Sequence, residues 1–161
     1  MEHSQNEFEY YLAKFKSQKY FAAIKVGGEC LGNSLENSLK KLYDLSLIPI
    51  ILHGGGRQID LELQKRNIET KKIDGKRVTD YQTMKVVRET LEGLNRDLVA
   101  RLNKEKIIAR GLNRIFNIGE IFYDLGYVGN PGRLDLHQIS DCLNNKLIPI
   151  IAPLGTNNSG Q

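Results

Sequence analysis

Leu47-Ile48-Pro49-Ile50-Ile51-Leu52-His53-Gly54-Gly55-Gly56 (LIPIILHGGG) is the stretch on which the fold turns. An apolar, β-branched run that breaks into three consecutive glycines reads as a buried strand, Leu47 to His53, emptying into a loop. The pentapeptide LIPII recurs at Leu147, again after an amphipathic stretch and again before a glycine-bearing loop. Continuous apolar runs suit strands covered by helices on both faces, so the copies predict two parallel core strands in equivalent settings. Two matches are too few for a repeat protein. In parallel sheets of this kind ligands bind at the carboxyl ends of the strands, which directs attention to the loops that follow them.

Upstream, Tyr20 to Val26 (YFAAIKV) is a second such strand, halted at Gly27-Gly28. Before it, Phe8, Tyr11, Leu12 and Phe15 recur at helical spacing, which predicts a leading helix over Asn6 to Lys19 and sets residues 1–19 apart from the body of the chain, 20–161. Leu35, Leu39, Leu42 and Tyr43 predict a helix from Ser34 to Ser46, and another is expected over Gln58 to Asn67. The longest helix spans Asp80 to Lys104, where Met84, Val87, Leu91, Leu94, Leu98 and Leu102 line one face and Asp80 is placed to cap it. A short strand at Ile107 to Ala109 precedes a glycine-punctuated region, Gly111 to Gly132, expected to form a hairpin or an excursion with short strands near Ile115 and Ile121. A helix over Asp135 to Asn145 leads into the strand Leu147 to Ala152, and a polar tail runs from Gly155 to Gln161. The alternation predicts an α/β fold, a three-layer αβα sandwich around a mainly parallel sheet.

Composition is consistent with one domain: 161 residues can enclose a core, and 40% hydrophobic with 26% charged residues is ordinary globular usage. A net charge of +4 suits anionic small molecules and lacks the clustered basic stripe of a nucleic-acid binder. The densest basic group, Lys71, Lys72, Lys76 and Arg77, reads first as a solvated turn. Cys30 and Cys142 lie in no CxxC and near no histidine at ligand spacing, so no metal site is expected and reduced cytoplasmic thiols fit. The terminus MEHSQNEFEYY is not a basic-then-apolar signal, and no apolar run approaches the roughly 20 residues that span a bilayer. The expectation is a cytoplasmic protein without nucleic-acid or membrane partners.

Two glycine loops, Gly27-Gly28 and Gly54-Gly55-Gly56, follow the two strands. Glycine lets a backbone approach an anion closely, and consecutive N–H groups with a helix N-terminus supply positive potential, so both loops are candidates to grip phosphate oxygens. Each is also an ordinary turn taken alone. Lys25, in an otherwise apolar strand, needs an anionic partner or an exit to solvent. His53-Gly54-Gly55-Gly56 also matches an esterase oxyanion-hole sequence, but no GxSxG elbow accompanies it. Neither GxxxxGK[ST] nor GxGxxG occurs, and His53 reads as a packed strand-end residue. Arg77 offers a planar fork for a carboxylate, beside Thr79 and Asp80, which can hold its loop still; a surface salt bridge is the equal alternative.

Taken in order, IKVGG (24–28), PIILHGGGRQID (49–60), GKRVTDYQTMKVV (75–87), DLGYVGNPGRLD (124–135) and LIPIIAPLG (147–155) resemble the acetylglutamate kinase branch of the amino-acid kinase family. The opening segment and YFAAIKVGG resemble the kinase domains of the bifunctional acetylglutamate synthase/kinase group. The resemblance implies transfer of the γ-phosphoryl of ATP, with Mg²⁺, to the side-chain carboxylate of N-acetyl-L-glutamate in arginine biosynthesis. It assigns Lys25 to the transferring phosphoryl group, Gly27 and Gly28 to phosphate oxygens, Gly54, Gly55 and Gly56 to phosphoryl oxygens and substrate, and Arg77 to the substrate's α-carboxylate. It also implies a homo-oligomer. The family's Asn-x-Asn-x-Asp segment, its nucleotide-binding region and a second lysine are expected beyond Gln161, so residues 20–161 correspond to the substrate-binding part of a kinase domain without its ATP-binding part. The alternative implied by the synthase-related members is a non-catalytic, kinase-like ligand-binding or regulatory module.

Overall fold

A computed structural model describes residues 2–17 and 22–157, with no account of the side chains of residues 2–6. In chain order the elements are α1 (Glu2–Lys16), β1 (Ala23–Val26), α2 (Asn33–Asp44), β2 (Ile50–His53), α3 (Gly56–Lys65), β3 (Lys72–Ile73) and β4 (Lys76–Arg77). There follow α4 (Tyr81–Lys104), β5 (Ala109–Leu112), β6 (Phe116–Ile121), β7 (Gly129–Leu134), α5 (Leu136–Asn144), β8 (Ile148–Ile151) and β9 (Gly155–Thr156). The expected leading helix forms three to four residues earlier than its spacing indicated, and the expected strand residues Tyr20 and Phe21 fall outside the described residues.

The central sheet has four parallel strands in the order β1-β2-β8-β5. The two LIPII copies therefore become neighbouring parallel strands, with Ile51 opposite Ile150 and Leu52 opposite Ile151. β2 starts just past its proline, Pro49, whereas β8 starts at Ile148 and keeps Pro149 inside the strand. Pro49 and Pro149 lack an N–H, and Pro149 survives inside β8 because of alternation: Ile148 and Ala152 donate to Ile108 and Leu112 on the β5 side, so the proline nitrogen faces β2 just before that pairing begins.

The two faces of the sheet are covered by different helices. Ile24, Val26, Ile51, Ile148 and Ile150 pack with Leu39 of α2 and Leu98 and Leu102 of α4. On the opposite face Ile50, Leu52, Leu112 and Ile151 pack with Ile139 and Cys142 of α5. This is the three-layer αβα sandwich. It also locates a crevice. The unit β1-α2-β2 advances across the sheet one way and β5-α5-β8 the other, so crossovers of one hand put α2 and α5 on opposite faces. The reversal lies between β2 and β8, and the space outside the carboxyl ends of those strands is where open α/β sheets hold ligands.

Smaller sheets close over that end. A hairpin does form in this region, but the two short strands expected near Ile115 and Ile121 are one strand, β6, whose partner is β7; β9 joins β6 in parallel, which turns part of the predicted tail into a strand. The β3–β4 hairpin was not anticipated: Lys72 pairs with Arg77 and Ile73 with Lys76 around Asp74-Gly75, both with positive φ (49° and 77°). Asp-Gly is a strong signal for a two-residue hairpin, but the flanking strands have only two residues each, too short to show alternation.

Candidate functional site

The crevice is built first by the glycine loops after β1 and β2. They touch: a Cβ added at Gly28 would lie 2.8 Å from Cα of Gly55 and 2.5 Å from Oε1 of Gln58. Gln58, on the first turn of α3, donates from Nε2 to the Gly28 carbonyl at 2.8 Å and so ties one loop to the other. The Gly54 N–H bonds the Val26 carbonyl at 2.7 Å, continuing the β1–β2 ladder, which leaves Gly54 as part of the seam between loops. The N–H groups of Gly28 and Gly55 donate to no acceptor among the described residues, and α3 starts at Gly56 without a side-chain cap. Free donors from two loops and an uncapped helix start thus lie together, the arrangement that favours an oxyanion.

His53 supports this cradle from beneath. It is buried, its Nδ1 sits 3.0 Å from the Gly54 carbonyl oxygen, and its Nε2 sits 3.3 Å from Nδ2 of Asn95. Asn95 Nδ2 also donates to the Ile150 carbonyl at 2.9 Å. One assignment satisfies every group: Nδ1–H donates to Gly54 and Nε2 accepts from Asn95, with a neutral imidazole. Desolvation lowers the pKa of His53 below its ordinary 6.5, against the raising effect of the Gly54 bond. The ring is a packed strut with no free nitrogen for acid–base work.

Lys25 lies on β1 two residues before Gly27, level with Leu52. The sequence expectation of a lysine inside an apolar strand is modified: β1 is an edge strand, the Lys25 side of it is not covered by α5, and Lys25 is exposed. Its charge therefore carries no burial cost.

A cavity of about 630 Å³ opens beyond β8, within the range of small-molecule sites. Pro153, Leu154 and Gly155 after β8, Ile59 of α3, Met84, Val87 and Arg88 of α4, and Lys76 and Arg77 of β4 line it, with Ile118, Val128 and Tyr127 from the β6–β7 region. Ile59 links cavity and cradle, for it sits three residues along α3 from Gly56, roughly 4.5 Å of helix rise. The wall is held by Thr79, whose N–H bonds Leu125 at 2.8 Å and whose carbonyl accepts from Tyr127 at 2.7 Å, and by Asp80, whose Oδ1 caps α4 at the Thr83 N–H (2.7 Å). Gly126 makes this closure possible: its φ is +71°, and a Cβ there would lie 2.3 Å from the Thr79 oxygen.

Both alternatives for Arg77 meet at its position. It lines the cavity, and its Nη1 is also paired with Asp60 Oδ1 of α3. Asp60 takes Lys72 at 3.3 Å as well; partial burial pushes its carboxyl up, but hydrogen bonds and charge from Arg77 and Lys72 bring it below the usual range. The basic cluster is thus divided among partners: Lys72 and Arg77 on Asp60, and Lys76 4.3 Å from the Phe122 ring centre.

A family model for the Amino acid kinase family matches residues 21–161. The chain belongs to the amino acid kinase family. The acetylglutamate kinase of Roseobacter denitrificans is 34% identical to this family member over 157 residues, covering 89% of this chain and 55% of the relative. That of Staphylococcus aureus (strain MRSA252) is 38% identical over 146 residues, covering 86% and 57%. This amino acid kinase chain thus spans about half the length of the curated relatives it matches. Among solved structures, smu.665 from Streptococcus mutans UA159 superposes with a TM-score of 0.78 at 27% identity, over 87% of this chain and 61% of that one. N-acetylglutamate synthase from Neisseria gonorrhoeae, complexed with coenzyme A and N-acetyl-glutamate, shares the fold with a TM-score of 0.73 at 18% identity, over 93% and 38%.

Three residues of this kinase-family site escaped the sequence reading. Gln58 and Asn95 are polar side chains on helices whose partners, the Gly28 and Ile150 carbonyls, lie 30 and 55 residues away. Arg88 sits one residue past Val87 on the apolar face of α4, and that position beside Met84 and Val87 was the available signal.

Proposed function

We propose that this chain forms the substrate-binding part of a kinase that transfers the γ-phosphoryl of ATP to the side-chain carboxylate of an acylated amino acid, N-acetyl-L-glutamate, in cytoplasmic arginine biosynthesis. The observation that carries the reading is the continuity from cradle to cavity. Unpaired backbone donors lie at the switch point of a parallel sheet, one helical turn from a cavity whose described lining has three cations and no carboxylate. An acceptor carboxylate in the cradle and an α-carboxylate in the cavity match that distribution.

In this reading a γ-carboxylate oxygen attacks the terminal phosphorus, the bond to the bridging oxygen breaks, ADP departs, and an acyl phosphate remains. Gly28, Gly55 and Gly56 hold phosphoryl and acceptor oxygens through N–H groups, with Gly27 and Gly54 providing the close approach of the two loops. Lys25 offsets charge on the phosphoryl group as it moves. Arg77, held still by Asp60, faces the α-carboxylate. Positioning and preorganised electrostatics are what phosphoryl transfer chiefly requires. The free N–H groups fit phosphate oxygens, but the described residues contain no cluster of three His, Cys, Asp or Glu side chains able to hold a metal. Mg²⁺ therefore fits as an ion carried by nucleotide phosphates, whose charge it would neutralise. The nucleoside pocket, and any homo-oligomer, belong to the whole kinase.

Isothermal titration of the chain with N-acetyl-L-glutamate tests the reading. Heat of binding is expected with N-acetyl-L-glutamate and not with N-acetyl-L-alanine, which lacks the side-chain carboxylate. Equal response to both, or none to the first from a folded sample, removes the assignment.

A further inference from the structure

The loosest ion pair among the described residues lies at the rim of the cradle. Arg57 Nη1 stands 3.9 Å from Glu29 Oε1, beyond hydrogen-bond reach, whereas Arg101–Glu36 and Arg66–Glu89 close to 2.6 and 2.8 Å. The pair spans the two glycine loops: Glu29 follows Gly28 in the turn after β1, and Arg57 follows Gly56 in the first turn of α3. Neither side chain has another partner among the described residues. The carboxylate that α3 itself places within reach of Arg57, Asp60 three residues on, is taken by Arg77 and Lys72.

The position of Arg57 runs against helix electrostatics. A helix N-terminus favours negative side chains, yet the first turn of α3 has no acidic residue, no side-chain cap and one arginine. With the unpaired N–H groups of Gly28 and Gly55 this gathers positive potential at one place, a state that is unfavourable until an anion joins it. An exposed carboxylate 3.9 Å away is a weak and exchangeable partner. A phosphate held by the loop N–H groups offers more charge, and two oxygens to a planar guanidinium.

We infer that Arg57 is a further phosphate-binding residue of the cradle, held beside Glu29 until a phosphate enters and drawn from it when one does. The inference deepens the proposed function and rests on it for the phosphate, which is the terminal part of a nucleotide. Glu29 sets the threshold: it opposes any anion at the rim, and a multiply charged phosphate overcomes that opposition more readily than a single carboxylate. Lys25 and the glycine N–H groups keep their roles.

Both side chains are more than two-thirds exposed, so substituting them leaves the core untouched and the full chain can be tested. In an NMR titration with pyrophosphate the Nε–H resonance of Arg57 is expected to move with the Gly28, Gly55 and Gly56 amides at one apparent Kd, and N-acetyl-L-glutamate is expected to leave that resonance in place. Arg57→Gln should weaken pyrophosphate roughly 3- to 10-fold, with part of the loss restored in Arg57→Lys, and Glu29→Gln should strengthen it roughly 2- to 5-fold. In the Arg57→Gln background the gain from Glu29→Gln is expected to shrink; an equal gain in both backgrounds means that Glu29 only repels the anion, and overturns the exchange. If the glycine amides respond and Arg57→Gln leaves the affinity unchanged, the inference falls while the cradle stands. If Arg57 responds to N-acetyl-L-glutamate and not to pyrophosphate, its phosphate role is overturned. If inorganic phosphate binds as tightly as pyrophosphate and moves the Arg57 resonance, Arg57 stands and the nucleotide of the proposed function falls. No response of the glycine amides in a folded chain removes the cradle, and Arg57 with it.

Discussion

Gly28 and Gly27 are neighbours with opposite tolerances. A methyl group at Gly28 meets Gln58 and the Gly55 backbone, whereas one at Gly27 meets nothing within 4 Å. Gly28→Ala is expected to lower stability by about 1–3 kcal/mol through overpacking and to spread the cradle, while Gly27→Ala leaves the fold unchanged. Urea melts of both variants check this, and equal midpoints contradict the contact between loops. His53 and Asn95 give a second test. Asn95→Ala leaves the buried imidazole Nε2 without its donor and removes the side-chain donor to the Ile150 carbonyl, at about 1–3 kcal/mol by the same melts. The sign of the pH effect follows from the lowered pKa of His53. Between the unfolded value near 6.5 and the lower folded value the unfolded chain binds more protons, so stability falls as pH drops through that window, by up to about 1.4 kcal/mol per unit. His53→Gln should flatten that part of the profile. Little of this residue-level detail was legible in the sequence: the glycines were, because their type is itself the signal, but a buried asparagine reads like any other polar helix residue until the fold brings Ile150 to it.

The elements that were easiest to read are those whose periodicity is long. α4 matches its expected span to within one residue, because an apolar face over 24 residues and a capping aspartate agree. Asp80→Ala is expected to free the first turn of α4 and with it the Thr79 contact to the β6–β7 region; faster hydrogen exchange confined to residues 81–84 and to the Thr79 and Tyr127 amides checks it, and uniform exchange would place the cap elsewhere. β5 lies two residues later than its apolar run, since Ile107 and Ile108 precede the ladder that Ala109 begins. The short β3–β4 hairpin was invisible to periodicity, yet it carries Lys76 and Arg77 to the cavity. Its closure over the site depends on Gly126, where alanine combines positive φ with a clash against Thr79 and should destabilise on the order of 2 kcal/mol. A Gly126→Ala chain that melts like the parent would show that the β6–β7 region is not locked to the start of α4.

At the scale of the molecule, function follows from topology before it follows from any side chain. Two strand-helix-strand units that advance in opposite directions leave one gap outside the carboxyl ends of β2 and β8, and the glycine loop and the Pro153–Gly155 segment that border it are the sequels of the two LIPII copies. Repetition of that pentapeptide made the parallel pair legible; the reversal of direction was not, because strand order depends on where β5 inserts. Heteronuclear NMR of the chain titrated with N-acetyl-L-glutamate is the most direct measurement of the central claim. Amide shifts at Gly28, Gly55 and Gly56 and at Leu154 and Gly155 are expected to move together with a single apparent Kd. Movement of only one set, or of amides on α5 instead, would mean that cradle and cavity are not one site.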